Sequence, residues 1–455
     1  MRPSIHLFML RVTTLFLIAL LPTISFAQSR LSQELQQKLR TRKAISESQD
    51  KDAKKATTKS LSPAIEPLDK ADEIKPHTPQ TFTQAVNIAI VSKDLTAFNE
   101  LVSWPTIAVR ATKSLNGKVI DQFKADFLTE VKSSNSLGAQ IIATVNNGGS
   151  YEFLELKKSS STIVAIFRMI LPGGRGVNYH EYQLAKTKTK NVIASDIYVY
   201  LTGETLSQSI RRNLITGLAE KDEDSKVDLA GIDKQIADNV SVIKDLTKAL
   251  SEEKPERARS LLLKLPPEVR ADKAIQTLTL NTYKRSAAFE TVVEQIRKAN
   301  PDDVFMEMLA IDAFASQKKY DEAIDAIDTV SARVGGDPYL MVLKGRMELK
   351  KGNEKSGRKL ITDAINADDN LLNGYWNLVS FSLTDKKHEE TLRLLKTIDK
   401  KFKVNFRDLN EIPSYKNFVK SDEFAEWSKY RAANTAPTEP KNDVSGKSSR
   451  EKEIR

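Results

Sequence analysis

The chain has 455 residues, 40% of them hydrophobic, and its 70 Lys and Arg outnumber 60 Asp and Glu to give a net charge of +10. That length allows two or three domains with cores of their own, and the interspersed signs exclude the concentrated basic stripe that nucleic-acid binding requires. The absence of cysteine excludes disulfides, thiolate metal sites, cysteine nucleophiles and a lipid-modified cysteine.

Residues 1–27 set Arg2 and Arg11 around a short apolar run, VTTLFLIALLPTI, that ends in SFA with small residues at Ser25 and Ala27. This pattern predicts a signal peptide cleaved before Gln28, with an uncleaved N-terminal anchor as the alternative. Export to the periplasm or beyond is expected, with no transmembrane anchor after cleavage. Residues 28–80 have no aromatic residue and several late prolines, a composition that cannot offset the entropy of ordering, so a disordered tether is expected.

Residues 81–216 begin with a helical period. TFTQAVNIAIVSKDLTAFNELV aligns Phe82, Val86, Ile90 and Val91, and VIDQFKADFLTEV aligns Val119, Ile120, Phe123, Phe127 and Val131. The period then falls to two in SYEFLELKK, STIVAIFRMI, VNYHEYQLA and NVIASDIYVYL, separated by Gly-, Ser- and Lys-rich turns. Helices followed by an antiparallel meander form an α+β pattern. GVNYHEYQLAK looks most like chemistry, yet as a strand it splits His180 from Glu181 onto opposite faces. A cross-strand pairing of His180 or Glu181 with Asp196 or Tyr198 would be needed for acid–base work; a register-fixing polar network is the alternative. PGGRG at 172–176 lacks the lysine and the strand-to-helix setting of a phosphate loop, and reads as a hairpin turn. The four histidines, His6, His77, His180 and His388, form no ligand set, and no metal or other cofactor is expected.

After a charged linker at 217–231, residues 232–400 are helical and repetitive. Tyr320, Ala323, Ile327 and Val330 are echoed 34 residues later by Glu354, Gly357, Ile361 and Ala364, and again by His388, Thr391, Leu395 and Ile398. One period earlier stand Ser286, Phe289, Val293 and Ile296. This helix–turn–helix period resembles the tetratricopeptide repeat (TPR), whose small-residue position falls on Ala323, Gly357 and Thr391 and whose first-helix glycine falls on Gly345; Phe289 and Thr391 depart from the small-residue rule. The resemblance implies a solenoid whose first helices line a concave face, with Phe305, Met308, Tyr339, Arg346, Asn373 and Trp376 as candidate protein-binding residues. Residues 401–431 supply Ile412, Tyr415, Phe418, Phe424 and Trp427 for a C-terminal helical cap, and 432–455 read as a disordered tail.

The helices-then-sheet order of 81–216 also resembles the nuclear-transport-factor-2 (NTF2)-like fold. Within that group ASDIYVYLTGETLSQSIRRNLI is similar to the closing strand and helix of periplasmic phospholipid carriers, on Asp196, Gly203, Ser207 and Arg211 or Arg212. That resemblance implies an apolar pocket between sheet and helices, lined by Phe123, Phe127, Phe153 and Phe167 and bordered by His180 and Asp196; the same phenylalanines would serve equally as core. The expectation is a multidomain, exported, non-enzymatic interaction protein, a scaffold or adaptor for other proteins of a bacterial envelope complex. A periplasmic carrier of a lipid or apolar ligand is the first alternative, and an enzyme using a His180/Asp196 cavity the second. A filled core favours the scaffold, a deep apolar pocket the carrier, and a polar pocket joining His180 to Asp196 the enzyme.

Overall fold

The computed structural model describes residues 76–131, 136–158, 162–174, 176–219, 227–283, 286–301 and 303–434. The expected signal (1–27), nearly all of the tether (28–80) and most of the tail (432–455) lie outside the described residues.

The first helix, α1 (Pro79–Val91), is fixed by a reciprocal capping box between Thr78 and Thr81 and by proline at its first position. Its stripe of Phe82, Val86 and Ile90 is buried. Four helices follow: α2 (Leu95–Glu100), α3 (Trp104–Ala111), α4 (Lys118–Glu130) and α5 (Leu137–Asn146). Asp94 caps α2 and Ser136 caps α5. The chain then changes period and forms β1 (Ser150–Lys158), β2 (Ile163–Ile170), β3 (Val177–Lys186), β4 (Val192–Val199) and the short β5 (Glu204–Thr205). These make one antiparallel sheet in sequence order, with register shifts at Phe153/Glu155 and Gln183/Leu184. Helix α6 (Leu206–Leu218) begins at a Thr205–Gln208 capping box.

The alternation along the strands sends side chains to two different cores. Tyr151, Phe167, Tyr182, Ile197 and Val199 join the helices α1–α6 in one apolar cluster. Ile166, Tyr179 and Tyr200 join a second cluster with Phe305, Met306, Ala310, Ile311 and Leu340 from the helical region. Because both faces are covered, β2 reads as a nearly unbroken apolar run.

The second half is all helix: α7 (Gly231–Asp238), α8 (Val240–Ser251), α9 (Pro255–Lys264), α10 (Pro267–Arg270), α11 (Lys273–Tyr283), α12 (Phe289–Ala299), α13 (Val304–Ser316), α14 (Tyr320–Arg333), α15 (Pro338–Lys351), α16 (Glu354–Ala367), α17 (Leu372–Thr384), α18 (His388–Phe402) and α19 (Asp422–Asn434). The chain is thus α+β followed by all-α.

Within it α13, α15 and α17 start at 304, 338 and 372, and α14, α16 and α18 at 320, 354 and 388, a constant step of 34. Their turns are built alike. Lys318, Gly352 and Lys386 all take positive φ. The next amide reaches back to the fifth preceding carbonyl each time: Lys319 to Phe314, Asn353 to Glu348 and Lys387 to Ser382. This is the Schellman closure, which satisfies carbonyls that a helix end leaves open. Between α15 and α16 the backbones nearly touch: a Cβ on Gly357 would stand 2.7 Å from the Gly345 carbonyl oxygen. At the far end Tyr415, Phe418 and Trp427 are buried in the cluster that includes α16, α17 and α18.

Candidate functional site between the sheet and the helix ends

The second face of the sheet rests on the N-terminal ends of α13 and α15, and the same polar device holds each. Asp303 and Asp337, one 34-residue step apart, are N-caps, accepting the amides of Phe305 at 3.1 Å and Tyr339 at 2.9 Å. Each also accepts a sheet tyrosine. Tyr198 Oη donates to Asp303 at 3.4 Å, and Tyr179 Oη donates to Asp337 at 2.6 Å. Each has a cation: Lys273 Nζ lies 2.5 Å from Asp303, and Arg168 Nη1 lies 2.6 Å from Asp337.

Arg168 is the hub. It stands in the apolar run of β2, is 1% exposed, and also binds Glu152 and, at 2.6 Å, Asp368. Burial pulls its guanidinium down most strongly, but Asp337, Glu152 and Asp368 together outweigh that and hold its pKa above the ordinary value. Glu152 is raised, first by burial, with Asp368 and Asp337 adding to it against the pull of Arg168. Beside this hub Glu181 accepts from Arg333 Nη2 at 2.9 Å, and Lys157 Nζ donates to the Ala332 carbonyl at 3.2 Å. The arrangement fastens layers together, with Arg168 paired to three carboxylates through Nη1 and Nη2.

The expected protein-binding residues separate into two groups. Phe305 and Tyr339, 1% and 3% exposed, are buried under the chain's own fold, Phe305 directly beneath Gly203 of the β4–β5 turn. They offer no surface to a partner, because the sheet occupies the first turn of their helices. Met308, Asn373 and Trp376 are half-buried and Arg346 is exposed. Asn373 Oδ1 accepts the Gly374 amide, and Trp376 meets Phe406 edge-on at 5.7 Å.

The expected pocket residues pack as core. Phe123 stacks on Phe127, which meets Trp104, while Phe167 contacts Phe153, Tyr151 and Tyr182 at 5.1–5.6 Å. His180 lies opposite Val199, and Asp196 opposite Gln183. The two do not meet. Asn178 Oδ1 accepts the amides of Tyr179 and Leu201, so its Nδ2 donates to His180 Nε2 at 3.0 Å. His180 therefore carries its proton on Nδ1 and donates it to Tyr151 Oη at 3.0 Å. Tyr151 in turn donates to Tyr182 Oη at 2.7 Å. Burial drives the His180 pKa down to about 3, so the ring is neutral at ordinary pH, enclosed and already fully bonded. Asp196 instead accepts Ser207 Oγ at 2.5 Å and Arg110 Nη1 at 3.3 Å, anchoring the start of α6. Arg211 pairs with Asp233 at 2.6 Å, and Arg212 with Glu204.

Sequence reasoning missed Asp303, Asp337, Arg168, Glu152 and Asp368. Two signals were present: one arginine in the apolar run IVAIFRMI, and an aspartate two residues before an aromatic at each of two steps of the period. Among the described residues no group of three or more His, Cys, Asp or Glu could hold a metal ion, and no helix is long and apolar enough to cross a membrane. Compared with known proteins, the chain matches no family model, no curated protein and no solved structure.

Proposed function

We propose that this is an exported, non-enzymatic scaffold or adaptor of a bacterial envelope complex, whose helical half is a tetratricopeptide-type solenoid. The observation that carries the proposal is the 34-residue step shared by helix starts and left-handed turns alike. Residues 305, 339 and 373, then 308, 342 and 376, then 312, 346 and 380, occupy one helix face at that step. With Phe305 and Tyr339 covered by the sheet, the partner surface narrows to Met308, Arg346, Asn373 and Trp376, a mixed aromatic and polar strip suited to an extended segment or helix of another protein. The α+β part, NTF2-like in its order of elements, acts as a brace for the solenoid. Its ring-filled core supports this over a lipid carrier, and the fully bonded His180 supports it over an enzyme.

The test is native mass spectrometry of the full chain, gently purified from its own envelope, beside an Arg346→Glu/Trp376→Ala variant. Loss of a co-purifying protein from the variant is the expected result. A lipid mass held equally by both chains, with no protein partner, would replace the adaptor with the carrier.

A further inference from the structure

We infer that the end of the sheet carrying the β3–β4 turn, with Lys158 and Ile163 beside it, docks on anionic lipid headgroups. Antiparallel pairing sets Lys158 opposite Ile163, Ile163 opposite Leu184, and Lys186 opposite Val192. Lys158 and Ile163 therefore lie at the same end of the sheet as the β3–β4 turn, with neighbouring strands about 5 Å apart. Residues 156–164 and 184–195 contain Lys157, Lys158, Lys186, Lys188 and Lys190 and no Asp or Glu. Lys157 turns inward to the Ala332 and Arg333 carbonyls and to Glu155. Lys158, Lys186, Lys188 and Lys190 are exposed, and no carboxylate among the described residues pairs with them.

The β3–β4 turn is a built one. The Thr187 amide donates to the Asn191 carbonyl at 2.8 Å, the Asn191 amide donates to Thr187 Oγ1 at 3.1 Å, and Lys190 takes φ 65°. Like charges collected on a fixed turn, within about a Debye length of one another, repel until a counter-charge arrives. One further observation selects a lipid surface over a soluble polyanion. Ile163, 36% exposed, puts an apolar side chain among the lysines. The inference is independent of any partner bound by the helices.

The experiment is sedimentation of the full chain with vesicles of phosphatidylcholine alone and of phosphatidylcholine with phosphatidylglycerol. Comparing the two isolates the charge-dependent part from any binding by the N-terminal run. Phosphatidylglycerol is expected to raise partitioning by roughly 100-fold at low salt, at about fivefold for each of the three lysines of the β3–β4 turn. Lys186→Glu/Lys188→Glu/Lys190→Glu should abolish that increment, and the corresponding triple Gln variant should remove most of it. Lys416→Glu/Lys420→Glu/Lys429→Glu, an equal charge change on exposed residues of the C-terminal region, should retain it, as should the Arg346→Glu/Trp376→Ala variant. Three results would overturn the inference: no dependence on phosphatidylglycerol, equal loss in both triple Glu variants, or lysine-dependent retention on heparin without vesicle binding.

Discussion

Lowering the pH should unlock the buried His180 network. The folded-state pKa of about 3 lies below the ordinary imidazole value of 6.5. Between those values the unfolded chain binds a proton that the folded chain refuses. Stability is therefore complete above about pH 6.5 and falls as pH drops through the window, by about 1.4 kcal/mol per unit at most. From pH 6.5 to pH 4 the loss is about 3 kcal/mol. Urea midpoints by circular dichroism across this range, for the wild type and for His180→Gln, measure it. Glutamine cannot take up the proton, so the variant should begin about 1–3 kcal/mol less stable from an imperfectly matched partner and then show a shallower acid slope. Carboxyl groups contribute equally to both chains and cancel in the difference. Glu152 and Glu181, whose pKa values are raised by burial, act in the opposite sense: protonation favours their folded forms, so they gain stability as pH falls. Parallel acid slopes in the two chains would refute the enclosed, neutral His180.

Arg168→Met should be more damaging than an ordinary core substitution, by about 3–5 kcal/mol, because it leaves the buried Asp337 and the half-buried Glu152 and Asp368 without their shared cation; thermal melts should show Asp337→Asn added to it recovering part of the loss. Gly203→Ala should destabilise by at least about 1 kcal/mol, since φ is +67° and the new Cβ would lie 2.5 Å from the Phe305 ring; combining it with Phe305→Leu should relieve the clash and leave the backbone cost, readable as non-additive shifts in urea midpoint. Gly357→Ala should force α15 and α16 apart and lower the melting temperature more than Gly352→Ala, whose Cβ would meet nothing within 4 Å and which bears only the backbone cost of its φ of +91°; the same melts decide it.

The order helices, sheet, helices was legible because each period spans whole elements: SYEFLELKK is β1 residue for residue, and VNYHEYQLA falls inside β3. The split of His180 from Glu181 was legible for the same reason, since a strand alternates faces whatever covers it. What covers each face is a long-range matter. Alternation cannot distinguish a face open to water from one met by Asp303 and Asp337 more than 100 residues later, so Tyr179 and Tyr198 gave no sign of their partners. Phe305 and Tyr339 were misplaced in the same way: a helical repeat considered alone exposes its first-turn aromatics, and only the docked sheet buries them.

The two matched caps also constrain how this chain can change in length. Tyr198 and Tyr179 are fixed in the ladder, and each meets the aspartate that opens its own helix. Inserting or losing a 34-residue unit between Asp303 and Asp337 would put a different helix beneath the waiting arginine and tyrosine. Among the described residues the sheet fastens no helix start beyond α17. Duplication of units is therefore tolerated toward the C-terminal cap and forbidden at the brace, so lineages of this protein should vary in helix number only downstream of Asp368.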